Sequence, residues 1–230
     1  MEDTTKTKVS LLELENNPQI GMYLVATDNF VLCGKKNLTN EQKQSIEQIL
    51  NVPLIEFSCF NTELIGVFIQ IDRVEKQIFI PEDLYEEEMA ILKEIVQKYQ
   101  YTLIIIDSVN NALGNLISST KNHIIISHEL KSNKEYIEKN TSKSTYILHN
   151  QNLHQAGTLI YSVKNLALAS SGLGDEELED LENEIENIST INSGSIYISS
   201  GIVANSYGIL IGSLSSSVEI QTILESLNYL

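Results

Sequence analysis

A glycine next to an apolar run returns five times along this chain at near-constant spacing. The glycines are Gly21, Gly66, Gly114, Gly157 and Gly201, and the intervals between them are 45, 48, 43 and 44 residues. Units of about 45 residues cannot bury a useful core alone, so such repeats must pack against one another. The repeat therefore predicts a single domain over residues 1–230.

Each repeat keeps one order of predicted elements: a strand that carries the glycine, a polar turn, a second strand, a helix and a third strand. The repeats cover residues 15–60, 61–108, 109–152, 153–195 and 196–230. The fifth repeat lacks a third strand, whereas a spare strand-like run, 9–14, precedes the first. We expect that run to close a ring, because an open array would leave unpaired sheet edges. The fold class is therefore α/β (α+β), with five sheets toward a central axis and helices outside.

Two of the predicted helices have clear start signals. Thr39 with Gln42 and Ser216 with Glu219 each have the spacing of a capping box before an apolar periodic segment. A helical segment is also expected over 82–99, after Pro81. The third repeat offers only a weak helical pattern near 131–139, so distortion is expected in that unit.

The fourth predicted helix, 175–188, is rich in acid. Leu178, Leu181 and Ile185 interleave with the carboxylates at helical spacing, which favours an amphipathic helix with a solvated acidic face. A metal site is the alternative, but no loop with calcium-type spacing and its glycine is present. The carboxylates are Asp175, Glu176, Glu177, Glu179, Asp180, Glu182, Glu184 and Glu186.

The charge balance limits the class of partner. There are 31 acidic and 15 basic residues, for a net charge of −16, and Arg73 is the single arginine. Contact with phosphates needs clustered lysine and arginine, so nucleic acid is disfavoured and a basic or neutral protein surface is expected. No apolar run approaches the roughly 20 residues of a membrane span, and the opening residues lack a signal-peptide core. We expect a cytoplasmic protein.

Candidate catalytic and metal-binding residues are few. Cys33 and Cys59 are too few for a disulfide framework or a zinc site, and both are expected to be structural. The spacings among the four histidines do not place them on one helical face, which favours turn or surface positions over a metal site. They are His123, His128, His149 and His154. With no phosphate loop, dinucleotide fingerprint or nucleophile elbow, neither a cofactor nor an enzymatic activity is expected.

Three glycine segments resemble the translation initiation factor 6 family, the ribosome anti-association factors of archaea and eukaryotes. The residues that carry the resemblance are 17–21 with 26–28, in the archaeal form, 111–117, and 201–206. The resemblance extends from Val9 to the last residue. It implies a closed five-repeat ring of the pentein type.

The resemblance also implies binding to the large ribosomal subunit on the face that meets the small subunit. Contact would be near the sarcin-ricin loop and chiefly with ribosomal protein, with little direct nucleic-acid contact. The factor would be a monomer that blocks subunit joining sterically. Segments next to the repeat glycines are nearly uncharged, so we expect the interface there, although packing at a crowded axis also explains the glycines. The expected contact residues are Gly21, Met22, Gly66, Val67, Gly114, Asn115, Gly157, Thr158, Gly201 and Ile202.

Two other readings stay open at this point. The pentein architecture resembles that of guanidine-modifying enzymes such as arginine deiminases, which use a cysteine late in the chain as nucleophile. No cysteine follows Cys59, which disfavours such an enzyme. An interaction scaffold unrelated to ribosomes would keep the ring but leave the family-like segments unexplained.

Overall fold

A computed structural model describes residues 8–35, 38–149, 153 and 155–230. These residues form five three-stranded sheets, in the orders β2-β3-β4, β5-β6-β7, β8-β9-β10, β11-β12-β13 and β14-β15-β1. The strands are β1 (Lys8–Leu12), β2 (Leu24–Ala26), β3 (Val31–Cys33), β4 (Leu54–Glu56), β5 (Gln70–Asp72), β6 (Gln77–Pro81), β7 (Thr102–Ile106), β8 (Ile117–Ser119), β9 (His123–Ile126), β10 (Ser144–Ile147), β11 (Ile160–Val163), β12 (Leu166–Ser170), β13 (Asn187–Ser189), β14 (Ile202–Ala204) and β15 (Gly208–Gly212).

All five sheets share one topology. The first strand of each repeat pairs antiparallel with the second through a tight hairpin, and the third strand pairs parallel with the second. A parallel third strand that follows in the chain needs a crossover connection, and a helical segment supplies it in the first four repeats.

The fifth sheet takes its third strand from the other end of the chain. β1 runs parallel to β15 in a register that places Lys8 beside Gly208 and Leu12 beside Gly212. β1 therefore supplies the third strand of the fifth sheet.

The two capping boxes are confirmed. Helix α1 (Asn40–Leu50) is capped by Thr39 and Gln42, and α8 (Ser217–Ser226) by Ser216 and Glu219. The second-repeat helix α3 spans Glu86–Tyr99. In the weak third repeat, a 3-10 segment, His128–Asn133, precedes the short helix α5 (Lys134–Asn140).

The prediction of one acidic helix over 175–188 was wrong. Helix α7 covers only Asp175–Asp180, and the chain then turns into strand β13. The Glu186 N–H donates to the Ala167 carbonyl at 2.8 Å, and Asn187 pairs with Leu168. Pairing with the sheet therefore ends the helix, although its apolar spacing would have allowed two more turns.

The hydrophobic core is divided into five clusters, each shared by two neighbouring repeats. Phe30 and Leu32 of the first repeat pack with Ile78 and Ile80 of the second, for example. The last cluster joins the fifth repeat to the first, with Val203 and Leu210 beside residues of the first repeat. Since each cluster needs both partners, stability depends on ring closure. Among the described residues, none of the helices has the length and apolar character to cross a bilayer.

Candidate functional site

The ring has two ends that differ in structure. Each inner strand, β2, β5, β8, β11 and β14, is preceded by a short helical turn and followed by a hairpin. We call the first side the glycine end and the second the hairpin end. The helical turns are Ile20–Met22, α2 (Ile65–Phe68), α4 (Leu113–Leu116), α6 (Ala156–Leu159) and Ile198–Gly201, and we call them the axial turns.

The expectation that the repeat glycines lie within strands was wrong. Each lies in an axial turn, and the inner strand begins one or two residues after that turn ends. Each axial turn contacts the axial turns of both neighbouring repeats, so the five close around the axis. The apolar run in each repeat is therefore divided between an axial turn and an inner strand.

Close packing explains four of the glycines. A Cβ atom added at Gly66 would lie 1.8 Å from the Gly21 carbonyl oxygen, and one at Gly114 would lie 2.1 Å from that of Gly66. A Cβ atom added at Gly157 would lie 2.0 Å from the Gly114 carbonyl oxygen. One added at Gly21 would lie 2.1 Å from the Ser199 carbonyl oxygen. A side chain at any of the four would collide with the backbone of the preceding turn.

The fifth axial position belongs to Ser199, so the assignment of Gly201 to it was wrong. Ser199 is the second residue of its axial turn, as Gly21 is of the first. Its Oγ donates to the Ile160 carbonyl at 3.2 Å. Gly201 packs elsewhere, since an added Cβ would lie 2.3 Å from Ile191 Cγ1. An apolar residue begins every axial turn, directly before the closely packed second residue. In the sequence, Ile198 was therefore the signal that aligns Ser199, and not Gly201, with the other four glycines.

A small cavity with a volume of about 60 Å³ lies on the axis, and it is large enough to hold water. Of the ten residues expected at the interface, all but Gly201 line it. Ser118 Oγ donates to the Ile160 carbonyl at 2.9 Å, and Gln70 Nε2 to that of Ile117 at 2.6 Å. Inner-strand side chains thus link neighbouring sheets across the cavity wall.

The third residue of each axial turn is partly exposed, and none of the five is charged. We call this set the axial rim: Met22, Val67, Asn115, Thr158 and Ser200. Ile202, which was expected at this place, is instead a buried residue of β14 with 1% exposure. The error follows from the same two-residue shift that misplaced Gly201.

Asn115 differs from the other polar residues of the axial rim. Thr158 Oγ1 donates to the Gln155 carbonyl at 2.9 Å, and Ser200 Oγ to that of Tyr197 at 2.7 Å, so both hydroxyls are satisfied within their own turns. The backbone N–H of Asn115 donates to the Ala112 carbonyl at 2.9 Å. Its side-chain amide makes no hydrogen bond within the part of the chain that the structure describes, and so it remains available to a partner.

Arg73, noted in the sequence only as the single arginine, crosses the cavity near the hairpin end. Its Nε donates to the Ala26 carbonyl at 2.8 Å, and its Nη1 to that of Ser162 at 3.1 Å. The guanidinium carbon lies 5.4 Å from the Tyr161 ring centroid. The side chain thereby joins the second repeat to the first and fourth, and the sequence offered no signal for this long-range contact.

Exposed carboxylates surround the axial rim. The crossover helices begin at the glycine end, where acidic side chains in the first turn interact favourably with the helix dipole. Further acids follow strands β6 and β7, which end on the same side. We call these residues the acidic belt: Glu41, Glu82, Asp83, Glu86, Glu87, Asp107, Glu129, Asp175 and Glu176.

Buried glutamates at the same end join one repeat to the next. The Glu88 carboxylate accepts from the N–H groups of Phe60 and Asn61, both at 2.9 Å. Glu219 accepts from the N–H groups of Ser193 and Gly194 at 3.1 and 2.8 Å. Burial raises the pKa of Glu219, but its hydrogen bonds outweigh burial and lower that pKa to about 2.

The acidic fourth-repeat segment contains two further buried carboxylates, so the expectation of a wholly solvated acidic face was wrong. Glu177 is 2% exposed and accepts from the His149 N–H at 3.1 Å. Glu184 accepts from the Asn122 side-chain amide at 2.6 Å. Both contacts cross from the fourth repeat to the third, which explains their burial.

The described cysteines and histidines do not converge on a reactive centre. Burial raises the pKa of the Cys33 thiol to about 11 and that of the Cys59 thiol further still. His123 Nδ1 lies 3.3 Å from a Glu184 carboxylate oxygen, and His149 packs edge-on against Tyr146. His154 lies outside the described residues. Within the described ranges, no three His, Cys, Asp or Glu side chains converge as metal ligands would.

The architecture defines a pentein-type ring. A solved structure of dimethylarginine dimethylaminohydrolase, in an adduct with S-methyl-L-thiocitrulline, aligns with a TM-score of 0.51 and 13% identity. The alignment covers 73% of this chain and 67% of that one, and at this identity the likeness concerns the fold alone.

Sequence comparison identifies the family within that fold class. The eIF-6 family model matches residues 9–226, so the chain belongs to the eIF-6 family. Translation initiation factor 6 of Staphylothermus marinus is 29% identical, over 94% of this chain and 96% of the relative. The Pyrococcus horikoshii protein of the same name is 28% identical, over 96% and 99%. The family supports a role as a translation initiation factor.

Proposed function

We propose that this protein binds the large ribosomal subunit at its subunit-joining face through the glycine end and prevents association with the small subunit. The observation that carries the proposal is the uncharged axial rim, with its free Asn115 amide, inside the acidic belt. An uncharged centre can be desolvated at little electrostatic cost, and a free amide adds specificity.

The acidic belt favours protein over RNA as the surface that is contacted. Carboxylates around the axial rim repel phosphates but attract lysine and arginine side chains. We therefore propose contact chiefly with basic ribosomal protein, near the sarcin-ricin loop and with little direct contact to nucleic acid. The factor would act as a monomer in the cytoplasm, and its bulk would block subunit joining.

A non-enzymatic role is part of this proposal. A guanidine-modifying pentein needs an activated cysteine, and a thiol with a raised pKa is a poor nucleophile at neutral pH. Cys33 and Cys59 are both buried, with 1% and 0% exposure, and both precede the third repeat.

Co-sedimentation with purified archaeal large ribosomal subunits tests the proposal. Wild-type protein should co-sediment, and a preformed complex should reduce joining to small subunits. The Asn115→Ser variant replaces the free side-chain amide by a shorter hydroxyl. It should bind large subunits roughly 5- to 150-fold more weakly, the equivalent of about 1–3 kcal/mol, and its melting temperature should be unchanged. Failure of the wild-type protein to bind would overturn the proposal.

Asn165→Ser is the matched control. Asn165 is exposed in the hairpin between β11 and β12, at the opposite end of the ring. The same substitution there should leave both binding and melting temperature unchanged. Equal losses for the two variants would place the contact surface elsewhere. A lower melting temperature for Asn115→Ser with unchanged affinity would assign its amide to folding.

A further inference from the structure

We propose that Phe60, Phe68 and Tyr85 form a binding site for a lysine or arginine side chain of the protein that the glycine end contacts. This inference rests on the proposed function and names one subsite of that surface. We call the three residues the aromatic shelf.

The aromatic shelf is continuous with the axial rim. The Phe60 ring centroid lies 5.0 Å from that of Phe68 and 5.9 Å from that of Tyr85, both in edge-to-face geometry. Phe68 ends the axial turn α2, directly after Val67 of the axial rim. Tyr85 is 49% exposed, and the two phenylalanines are partly buried. A partner seated on the axial rim would therefore meet these rings.

The backbone at Phe60 is unusual for an aromatic residue, although the ring also packs against the core cluster shared by the first and second repeats. Phe60 has a φ of 51°, in the left-handed region that bulky side chains rarely adopt. Asparagine tolerates this conformation well, and Asn192 occupies it in the corresponding turn before the fifth repeat, with a φ of 50°. Phe60 and Asn61 bond to Glu88 through their backbone N–H groups, so these bonds do not require an aromatic residue.

The surroundings of the aromatic shelf favour a cation. Glu82, Glu86 and Glu87 are exposed beside Tyr85 in sequence and belong to the acidic belt. Aromatic faces attract ammonium and guanidinium groups, and nearby carboxylates strengthen that attraction. The five cation–π contacts among the described residues involve other rings, those of Tyr23, Tyr99, Tyr101, Tyr161 and Tyr229. The shelf is therefore open to a cation from a partner.

The Phe60→Asn variant gives a test that separates binding from folding. It should lower the melting temperature only moderately, because relief of the left-handed backbone offsets part of the lost packing of the ring on the core. Below that temperature it should weaken co-sedimentation with large ribosomal subunits about 5-fold. Phe60→Tyr keeps the ring and should bind as the wild type does. The double variant Glu86→Gln/Glu87→Gln should also bind more weakly, most clearly at low salt.

Gln100→Asn is the matched control for backbone relief. Gln100 is exposed, uncharged and left-handed with a φ of 60°, and it lies at the hairpin end, where α3 leads into β7. This variant should not alter binding. If Phe60→Asn binds like the wild type while Asn115→Ser binds weakly, the aromatic shelf is not a cation-binding site, and the proposed function stands.

A second readout does not depend on ribosomes. A tri-arginine peptide titrated into the whole protein should shift the aromatic NMR signals of the shelf rings, and Phe60→Asn should reduce the shifts at Phe68 and Tyr85. An absence of shifts in the wild-type protein, or unchanged shifts in the variant, would overturn the cation site even if the wild-type protein fails to bind large subunits.

Discussion

Lys143 and Asp72 form a buried ion pair between the third and second repeats, with 2.6 Å between Nζ and Oδ2. Lys143 also donates to the Thr120 carbonyl at 2.6 Å, and Asp72 Oδ1 accepts from the Val74 N–H at 3.0 Å. Each charge thus has both an ionic partner and backbone partners, as a buried charge requires.

Breaking this pair should be costly. Lys143→Met leaves the Asp72 carboxylate buried without its cation, and we expect a loss of about 3–5 kcal/mol in the free energy of unfolding. Adding Asp72→Asn should recover part of that loss, because the amide oxygen can still accept from the backbone. Urea denaturation of both variants measures the coupling, and equal losses for the single and double variants would contradict it.

Gly66→Ala should be strongly destabilising. The new Cβ would lie 1.8 Å from the Gly21 carbonyl oxygen, so one axial turn must shift, at a cost of about 3 kcal/mol or more. Gly174→Ala is the control, since a Cβ there has Glu177 Oε2 as its nearest neighbour at 3.6 Å. Thermal melting of the two variants should differ clearly, and similar melting temperatures would refute the close approach at the axis.

Removing the closing strand should open the ring. Deletion of residues 1–14 removes β1 and exposes the edge of β15, so we expect a lower melting temperature and aggregation. Deletion of residues 1–7 leaves β1 intact and should change neither property. Light scattering during thermal melting compares the two, and identical behaviour would show that β1 contributes little to closure.

Glu219 should make stability sensitive to acid. Its pKa in the folded protein is about 2, against an ordinary value of 4.5. The unfolded chain therefore takes up a proton first as the pH falls, so the contribution of Glu219 is complete above pH 4.5 and is lost between pH 4.5 and pH 2. A pKa difference of this size corresponds to about 3 kcal/mol at neutral pH, which solvent screening reduces to on the order of 2 kcal/mol.

The Glu219→Gln variant checks that contribution. It should be less stable than the wild type at pH 7, and the difference should shrink as the pH falls through this window. Glu225→Gln, at an exposed position on the same helix, should show no such convergence. A constant difference between wild type and Glu219→Gln at all pH values would exclude the carboxylate as its source.

Neither thiol should react readily in the native protein. Burial raises the pKa of both Cys33 and Cys59, which removes the reactive thiolate at neutral pH. We expect slow labelling by a thiol reagent until the protein is unfolded. A double Cys→Ser variant that remains folded should retain large-subunit binding, and loss of binding by it would indicate a role for a thiol.

Local patterns predicted much of this ring. The repeat period indicated five units around one axis, since no unit of that length could bury its own core. Capping residues Thr39 and Ser216 marked where α1 and α8 begin, because a capping box is a contact within one turn of helix. Both signals lie within short stretches of chain, where sequence spacing corresponds directly to spatial position.

The sequence by itself determined the period, the fold class and the helix starts, whereas the tertiary structure decided the register at the axis. Ser199 replaces a glycine in the fifth axial turn, and the approach of its carbonyl to Gly21 establishes the equivalence. Arg73 reaches two other repeats, and Glu184 is buried by Asn122. Such contacts join residues far apart in the chain, so no local period or propensity encodes them. Which residues are exposed around the axis therefore depends on how the repeats pack together.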